Sequence, residues 1–192
     1  MKQGDALIVV DVQHDFLPGG ALAVEHGDEV VPVLNGYIER FERVGLPVVA
    51  TRDWHPVHHC SFEAEGGTWP PHCVAETPGA AIDSGLTLPD DAHIVDKGTA
   101  ADREAYSGFE GTDLTEWLRE QGVRRVFVGG LATDYCVLNT VKDARAAGLD
   151  VVLLLDATRA VDARPGDGDR AVEEMVSLGA VPITLGELDS VE

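Results

Sequence analysis

The chain passes from a strand into a helix through the segment Gly129-Gly130-Leu131-Ala132-Thr133-Asp134-Tyr135-Cys136. An apolar run at residues 126–128 precedes this segment and a helical pattern at residues 137–147 follows it, so Cys136 should lie in the first turn of a helix. The unpaired amides and the dipole of a helix N-terminus favour a thiolate, which would lower the Cys136 pKa and make the residue reactive. The alternative is a small apolar side chain that only fills space beneath the helix.

Composition limits what the chain can do. Its 192 residues suffice for a domain with its own core, and they carry a formal net charge of −20. That charge would repel phosphate backbones and anionic lipid, so we expect neither a nucleic-acid nor a membrane partner. The cysteine count is odd, and the sequence shows no leader or long apolar run, so we expect a cytoplasmic protein with reduced thiols.

Short apolar runs alternate with helical patterns along the sequence. The expected strands cover residues 6–10, 47–51, 93–95, 125–128, 151–155 and 181–184. The expected helices cover residues 28–44, a segment from the N-cap residues Thr112 and Asp113 to Gln121, residues 137–147, and a stretch that ends before Gly179. This alternation predicts an α/β fold, a doubly wound parallel sheet with helices on both faces. No repeat or linker interrupts the pattern, so we interpret residues 1–192 as one domain.

Four reactive side chains follow four different expected strands, namely Asp11, Asp53, Lys97 and Cys136. Ligands of such sheets bind beyond the carboxyl ends of the strands, so these residues should share one cleft. Cys136 would be the nucleophile, with Asp11 as the base and Lys97 stabilising the charges that form. The alternatives are an aspartate that caps a turn and a lysine that extends to solvent.

A second cluster is rich in histidine and begins at Asp53. Its histidines are His55, His58, His59 and His72. A carboxylate oxygen and two imidazoles with open positions suit one divalent first-row metal ion in a catalytic site. The alternative is a histidine-rich surface loop. The spacing of Cys60 and Cys73 does not suggest a structural zinc site, and we interpret both as packing residues.

These stretches resemble the isochorismatase-like cysteine hydrolases, and within that superfamily the nicotinamidases. The resemblance is carried by Val10-Asp11-Val12-Gln13-His14-Asp15-Phe16, Thr51-Arg52-Asp53-Trp54-His55-Pro56, Trp69-Pro70-Pro71-His72-Cys73, Lys97-Gly98, Tyr106-Ser107-Gly108-Phe109-Glu110-Gly111 and Gly130-Leu131-Ala132-Thr133-Asp134-Tyr135-Cys136. The metal-site stretches are the more specific, because isochorismatase itself lacks them. His14 departs from the asparagine that is usual there, which affects only the expected hydrogen bonding of the loop.

The resemblance implies a six-stranded parallel sheet and a role for each site residue. The triad would be Asp11, Lys97 and Cys136, and an oxyanion hole would use the amides of Ala132 and Cys136, often beside a cis Leu131-Ala132 peptide. Zinc, or else iron or manganese, would be held by Asp53, His55 and His72. Apart from the resemblance, His59 could be a fourth ligand, a partner of a ligand or a hydrogen-bond donor to the substrate, and we expect His58 to point to solvent. The substrate pocket would be lined by Phe16, Trp69 and Tyr106.

The implied reaction is hydrolysis of nicotinamide to nicotinate and ammonia, in NAD salvage. The substrate is then a small molecule, and the chain could act as a monomer or a homo-oligomer. One alternative is another amide or vinyl-ether hydrolase of the superfamily. A second is a catalytically silent metal-binding or redox protein.

Overall fold

The computed structural model describes residues 1–190 and is built on a parallel sheet. In chain order its strands are β1 (Asp5–Val10), β2 (Val48–Asp53), β3 (His93–Lys97), β4 (Arg125–Leu131), β5 (Asp150–Arg159) and β6 (Val181–Ile183). Its α-helices are α1 (Val30–Arg43), α2 (Leu114–Glu120), α3 (Leu138–Ala146) and α4 (Asp167–Ser177). All neighbouring strands are parallel, in the order β3-β2-β1-β4-β5-β6. The predicted doubly wound six-stranded sheet is therefore confirmed.

The two faces of the sheet are covered by different helices. On β1, Leu7 faces the core that contains α1, and Ile8 faces the core that contains α2, α3 and α4. Every residue of β1 is buried, which explains why its sequence is an unbroken apolar run and does not alternate. The α1 helix buries Leu34, Ile38 and Phe41 completely, and each such side chain contributes about 1.5–3 kcal/mol to stability.

Two expected boundaries are wrong in ways that concern the site. Cys136 lies in a π-helical turn, Thr133–Val137, and α3 begins only after it. Strand β5 does not end before Asp156 but continues to Arg159, because an irregularity at Val128/Gly130 lets β4 pair again with its second half.

The segment between β2 and β3 contains no strand or α-helix, only short 3₁₀ turns at Glu63–Glu65 and Pro78–Ala80. It carries the histidine cluster, and its side chains reach the carboxyl edge of the sheet. Long irregular segments of this kind are usually functional. Within residues 1–190, no helix has the length and apolar character that crossing a bilayer requires.

Candidate active site

The strand order reverses between β1 and β4, and the reactive residues meet at the carboxyl edge beside this point. Asp53 and Lys97 are the last residues of β2 and β3, and Asp11 follows β1 directly. The π-helical turn after β4 brings Cys136 to the same edge. None of the four residues is more than 6% exposed, so their charges interact strongly with one another.

Lys97 joins the cysteine to two carboxylates. Its Nζ lies 2.9 Å from Asp11 Oδ2 and 2.5 Å from Asp53 Oδ1. The same ammonium lies 3.5 Å from Cys136 Sγ and donates a hydrogen bond of 3.1 Å to the carbonyl of Ala105. The structure therefore brings together the three residues expected to form the triad, with Lys97 between the other two.

The two oxygens of Asp11 have different surroundings. Oδ1 accepts a hydrogen bond of 2.6 Å from the hydroxyl of Thr51, which is also buried. Oδ2 has the ion pair with Lys97 but no hydrogen bond of good geometry among residues 1–190. One carboxylate oxygen of Asp11 lies within 4.8 Å of Cys136 Sγ, so Asp11 is close to the thiol.

Burial and charge set the protonation of this cluster. Burial raises the Asp11 pKa, against the opposing effect of Lys97, and a raised pKa makes the carboxylate a stronger base. Burial alone would lower the Lys97 pKa, but Asp11 and Asp53 outweigh it and raise that pKa well above its usual value. The lysine therefore stays an ammonium, and it can stabilise negative charge as it moves between oxygen and sulfur.

The Cys136 thiol does not behave as the helix-terminus argument predicted. Complete burial raises its pKa well above the usual value, and the attraction of Lys97 only partly offsets this. The expected lowering is therefore wrong, because desolvation of the thiolate outweighs the favourable dipole. The resting residue is a thiol, and a base must remove its proton.

The backbone around Cys136 is where the resemblance places an oxyanion hole. The carbonyl of Ala132 accepts hydrogen bonds of 3.1 Å from the amides of Tyr135 and Val137, the residues on either side of Cys136. The Ala132 amide donates to no backbone carbonyl within residues 1–190. The Leu131-Ala132 peptide is cis, as the resemblance implied.

Asp53, His55 and His72 place one donor atom each within 4.8 Å of the others, and all three residues are buried. The Nδ1 atoms of His55 and His72 lie 2.9 and 2.8 Å from the carbonyls of Gly98 and Pro70. A carbonyl only accepts, so Nδ1 carries the proton in both rings and each Nε2 offers its lone pair. This is the arrangement that metal-binding histidines commonly have.

The charges of this cluster agree with a cation site. Burial would raise the Asp53 pKa, but Lys97 and His55 outweigh burial and lower it, so Asp53 is a carboxylate. Burial lowers the His72 pKa, which keeps that imidazole neutral. Burial would lower the His55 pKa, but the neighbouring Asp53 carboxylate outweighs burial and raises it. A cation at Asp53 would replace the proton that this attraction favours, and one carboxylate with two imidazoles is a donor set that fits a divalent first-row ion.

His59 and His58 lie outside this donor set. His59 stacks on His55, with ring centroids 4.1 Å apart, and its nitrogens are directed to Ser61 and to the carbonyl of Arg103. His58 is exposed and contacts Glu65.

The expected pocket aromatics converge on one small cavity over Cys136. It is lined by Phe16, Leu22, Val24, Asp53, Trp69, His72, Tyr106, Ala132, Tyr135, Cys136 and Val161. The indole of Trp69 donates a hydrogen bond of 3.1 Å to the hydroxyl of Tyr106, which fixes the two rings against each other. Tyr135 was missed by the sequence reasoning, although it stands next to the nucleophile; its ring makes an edge contact with Trp69.

Gln13 was also missed as a site residue, although the sequence motif contains it. Its fully buried side chain accepts a hydrogen bond from the amide of Asp53 and donates to the Asp53 and Ala80 carbonyls, at 2.8, 2.8 and 2.9 Å. The amide thus holds the backbone of a metal-site residue on both sides. The neighbouring His14 points the other way and contacts Asp83 at 3.4 Å near the surface.

The fold and the site together define an α/β cysteine hydrolase with a site for a divalent cation. The chain belongs to the isochorismatase family, because the sequence pattern of that family, the Isochorismatase domain, matches residues 5–187.

Within that family, nicotinamidases and pyrazinamidases are among the proteins to which the chain is similar. The chain is 36% identical to the nicotinamidase of Escherichia coli, over 97% of this chain and 98% of that protein. The pyrazinamidase of Pyrococcus horikoshii, solved in complex with zinc, is 52% identical over 94% of this chain and 99% of its own, with a TM-score of 0.91. The PnC1 protein of L. infantum, solved in complex with nicotinate, is 38% identical over 96% of this chain and 94% of its own, with a TM-score of 0.88.

Proposed function

We propose that this protein is a nicotinamidase, which hydrolyses nicotinamide to nicotinate and ammonia through a thioester on Cys136. The proposal rests mainly on Asp53, which contacts both the lysine of the cysteine cluster and a histidine of the cation donor set. One of its oxygens lies 2.5 Å from Lys97, and the other lies 3.5 Å from Nε2 of His55. Asp53, His72 and Cys136 line the same cavity, so a substrate there could meet both the nucleophile and the cation donors. The nicotinamidase relatives support the same activity.

In the first half of the reaction, Asp11 Oδ2 takes the thiol proton and Cys136 Sγ attacks the carboxamide carbon. The amides of Ala132 and Cys136 face the resulting oxyanion, and such donors typically contribute roughly 3–4 kcal/mol each to the transition state. Asp11 returns the proton to the departing nitrogen, which leaves as ammonia. Lys97 stabilises the negative charge throughout.

In the second half, Asp11 takes a proton from water, and the hydroxide attacks the thioester carbonyl. The C–S bond breaks, Asp11 returns its proton to Cys136 Sγ, and the acid product loses a proton to solvent and leaves as nicotinate. A divalent ion held by Asp53, His55 and His72 would supply a Lewis-acid site that binds the pyridine nitrogen and orients the ring. We propose zinc as this ion, because the donor set and the zinc-bound relative both favour it. A reduced nucleophilic thiol suits a cytoplasmic enzyme of NAD salvage.

The test is steady-state ammonia release by the purified, metal-loaded enzyme from a panel of small carboxamides. We expect a higher kcat/KM for nicotinamide than for benzamide, which has the same ring without the nitrogen. The difference should shrink in Asp53→Ala. Equal values for the two amides in the wild-type enzyme would contradict ring selection by the cation site. No ammonia release from any amide would contradict the function itself.

A further inference from the structure

We propose that His59, Cys60 and Glu104 form a second, weaker metal site that takes a zinc-like divalent ion through Nδ1, Sγ and a carboxylate oxygen. The three donor atoms lie within 4.8 Å of one another, and none of these residues belongs to the first donor set. A thiolate, an imidazole and a carboxylate are a combination that zinc accepts readily.

The tautomer of His59 favours binding through Nδ1. Its Nε2 lies 2.9 Å from the carbonyl of Arg103, so Nε2 carries the proton and Nδ1 carries the lone pair. Nδ1 lies 3.9 Å from Glu104 Oε1. It also accepts hydrogen bonds from the amide and the hydroxyl of Ser61, at 3.3 and 2.7 Å, which an ion would have to displace.

Cys60 and Glu104 are accessible, unlike His59. Cys60 is a free thiol that is only partly buried, and the Glu104 side chain is 40% exposed. Burial and the nearby Glu104 charge raise the Cys60 pKa, so an ion binds with release of the thiol proton to solvent. An ion that binds here must displace both the thiol proton and the Ser61 hydrogen bonds. We therefore expect the site at Asp53 to fill first.

The second site would join two chain segments beside the substrate pocket. His59 and Cys60 belong to the segment after β2, and Glu104 precedes Tyr106, a pocket residue with which it interacts. The two segments already touch, because the Cys60 amide donates a hydrogen bond of 2.7 Å to the carbonyl of Ala101. A bound ion would therefore reinforce an existing contact and hold Glu104 beside His59.

Cobalt(II) can separate this site from the first, because only a thiolate ligand gives the near-ultraviolet thiolate-to-cobalt absorption. The metal-free, reduced enzyme is titrated with cobalt(II), and bound metal is counted by elemental analysis. We expect the wild type to bind two equivalents, with the thiolate band growing as the second binds. Cys60→Ser should lose the band and the second equivalent, and Glu104→Gln should lose the second equivalent.

Two control variants decide which thiol is involved. Asp53→Ala should keep the thiolate band but lose the cobalt equivalent that binds at the first site. Cys136→Ser should keep the thiolate band and both cobalt equivalents. The proposal is overturned if the wild type shows no thiolate band, if Cys60→Ser keeps the band, or if Cys136→Ser loses it. None of these outcomes depends on hydrolysis of an amide.

Discussion

At the scale of single residues, the site divides one carboxylate between two tasks. Asp11 Oδ1 accepts the hydrogen bond from Thr51, and in the proposed reaction Oδ2 takes the proton of the nucleophile. The backbone of Asp11 has a φ of 49°, a left-handed conformation that is uncommon outside glycine and is often found at functional sites. Orientation of Asp11, as well as its charge, should therefore matter for catalysis.

We expect Thr51→Val to lower kcat by roughly 10- to 100-fold with little change in KM. Valine preserves the volume of the buried side chain but removes the hydroxyl that donates to Asp11, and a hydrogen bond to a charged group contributes about 1.5–3 kcal/mol. Thr51→Ser, which keeps the donor, should retain most of the activity. Steady-state kinetics and metal analysis of both variants test this. An active valine variant, or one that has lost its metal, would show that Thr51 does not act through Asp11.

We expect Cys136→Ala to lose amidase activity by several orders of magnitude and to keep its metal. In the proposed mechanism Cys136 Sγ forms the acyl bond, and the proposed metal donors Asp53, His55 and His72 do not include it. Metal content and ammonia release are measured on the same preparation. The matched control is Cys73→Ala, which removes another buried thiol and should remain active. More than a few per cent residual activity, or loss of metal, would mean that the nucleophile is assigned wrongly.

At the scale of elements, the first residue after β3 positions a histidine of the candidate metal site. Gly98 has a φ of +62°, and its carbonyl accepts the hydrogen bond from His55 Nδ1. A Cβ at Gly98 would lie 2.4 Å from Cε1 of the His55 ring, closer than two such atoms can approach. Glycine is therefore required here for two reasons, the backbone conformation and the close approach of the imidazole.

We expect Gly98→Ala to weaken metal binding, because the methyl group displaces His55 from Asp53. The matched control is Gly111→Ala, where φ is +69° but nothing lies within 4 Å of the added methyl group. Both variants carry similar backbone strain, but only the first should lose metal affinity. Metal titration followed by thermal unfolding separates the two effects. Equal metal affinity in the two variants would remove the proposed role of Gly98.

The elements also show where sequence reasoning succeeds. Asp11, Asp53 and Lys97 could be placed at one edge because they follow apolar runs and because all carboxyl ends of a parallel sheet lie on one side. The π-helical turn at Cys136 could not be predicted, since its hydrogen-bond pattern depends on packing against the end of β4. The direction of the shift in the Cys136 pKa could not be predicted from the sequence either, because it depends on burial of the thiol and on the position of Lys97.

At the scale of the whole molecule, charge is the dominant feature. The chain has 34 acidic residues and only 14 lysine and arginine residues, with a net charge of −20. Several basic residues are already paired, as in the buried Arg125–Asp5 ion pair. The excess carboxylates therefore repel one another across the surface, and this repulsion destabilises the folded state.

We expect sodium chloride to raise the Tm by several degrees between about 10 mM and about 1 M. The Debye length falls from about 30 Å to about 3 Å over this range, so repulsion between surface carboxylates is progressively screened. For a chain of this size, a gain of about 1 kcal/mol corresponds to roughly 2–4 °C. Thermal unfolding of the metal-loaded enzyme at constant pH measures the shift, and a single transition is expected if residues 1–192 form one domain.

A charge variant distinguishes screening from the general stabilising action of salt. Asp90, Glu120 and Glu173 are exposed, and replacement of each by lysine raises the net charge by two. The triple lysine variant should be more stable at low salt and should gain less from added sodium chloride. The control carries Asp90→Glu, Glu120→Asp and Glu173→Asp, which keep the net charge. Its Tm should depend on salt as that of the wild type does. If the lysine variant and the control respond to salt equally, self-repulsion does not limit the stability of this protein.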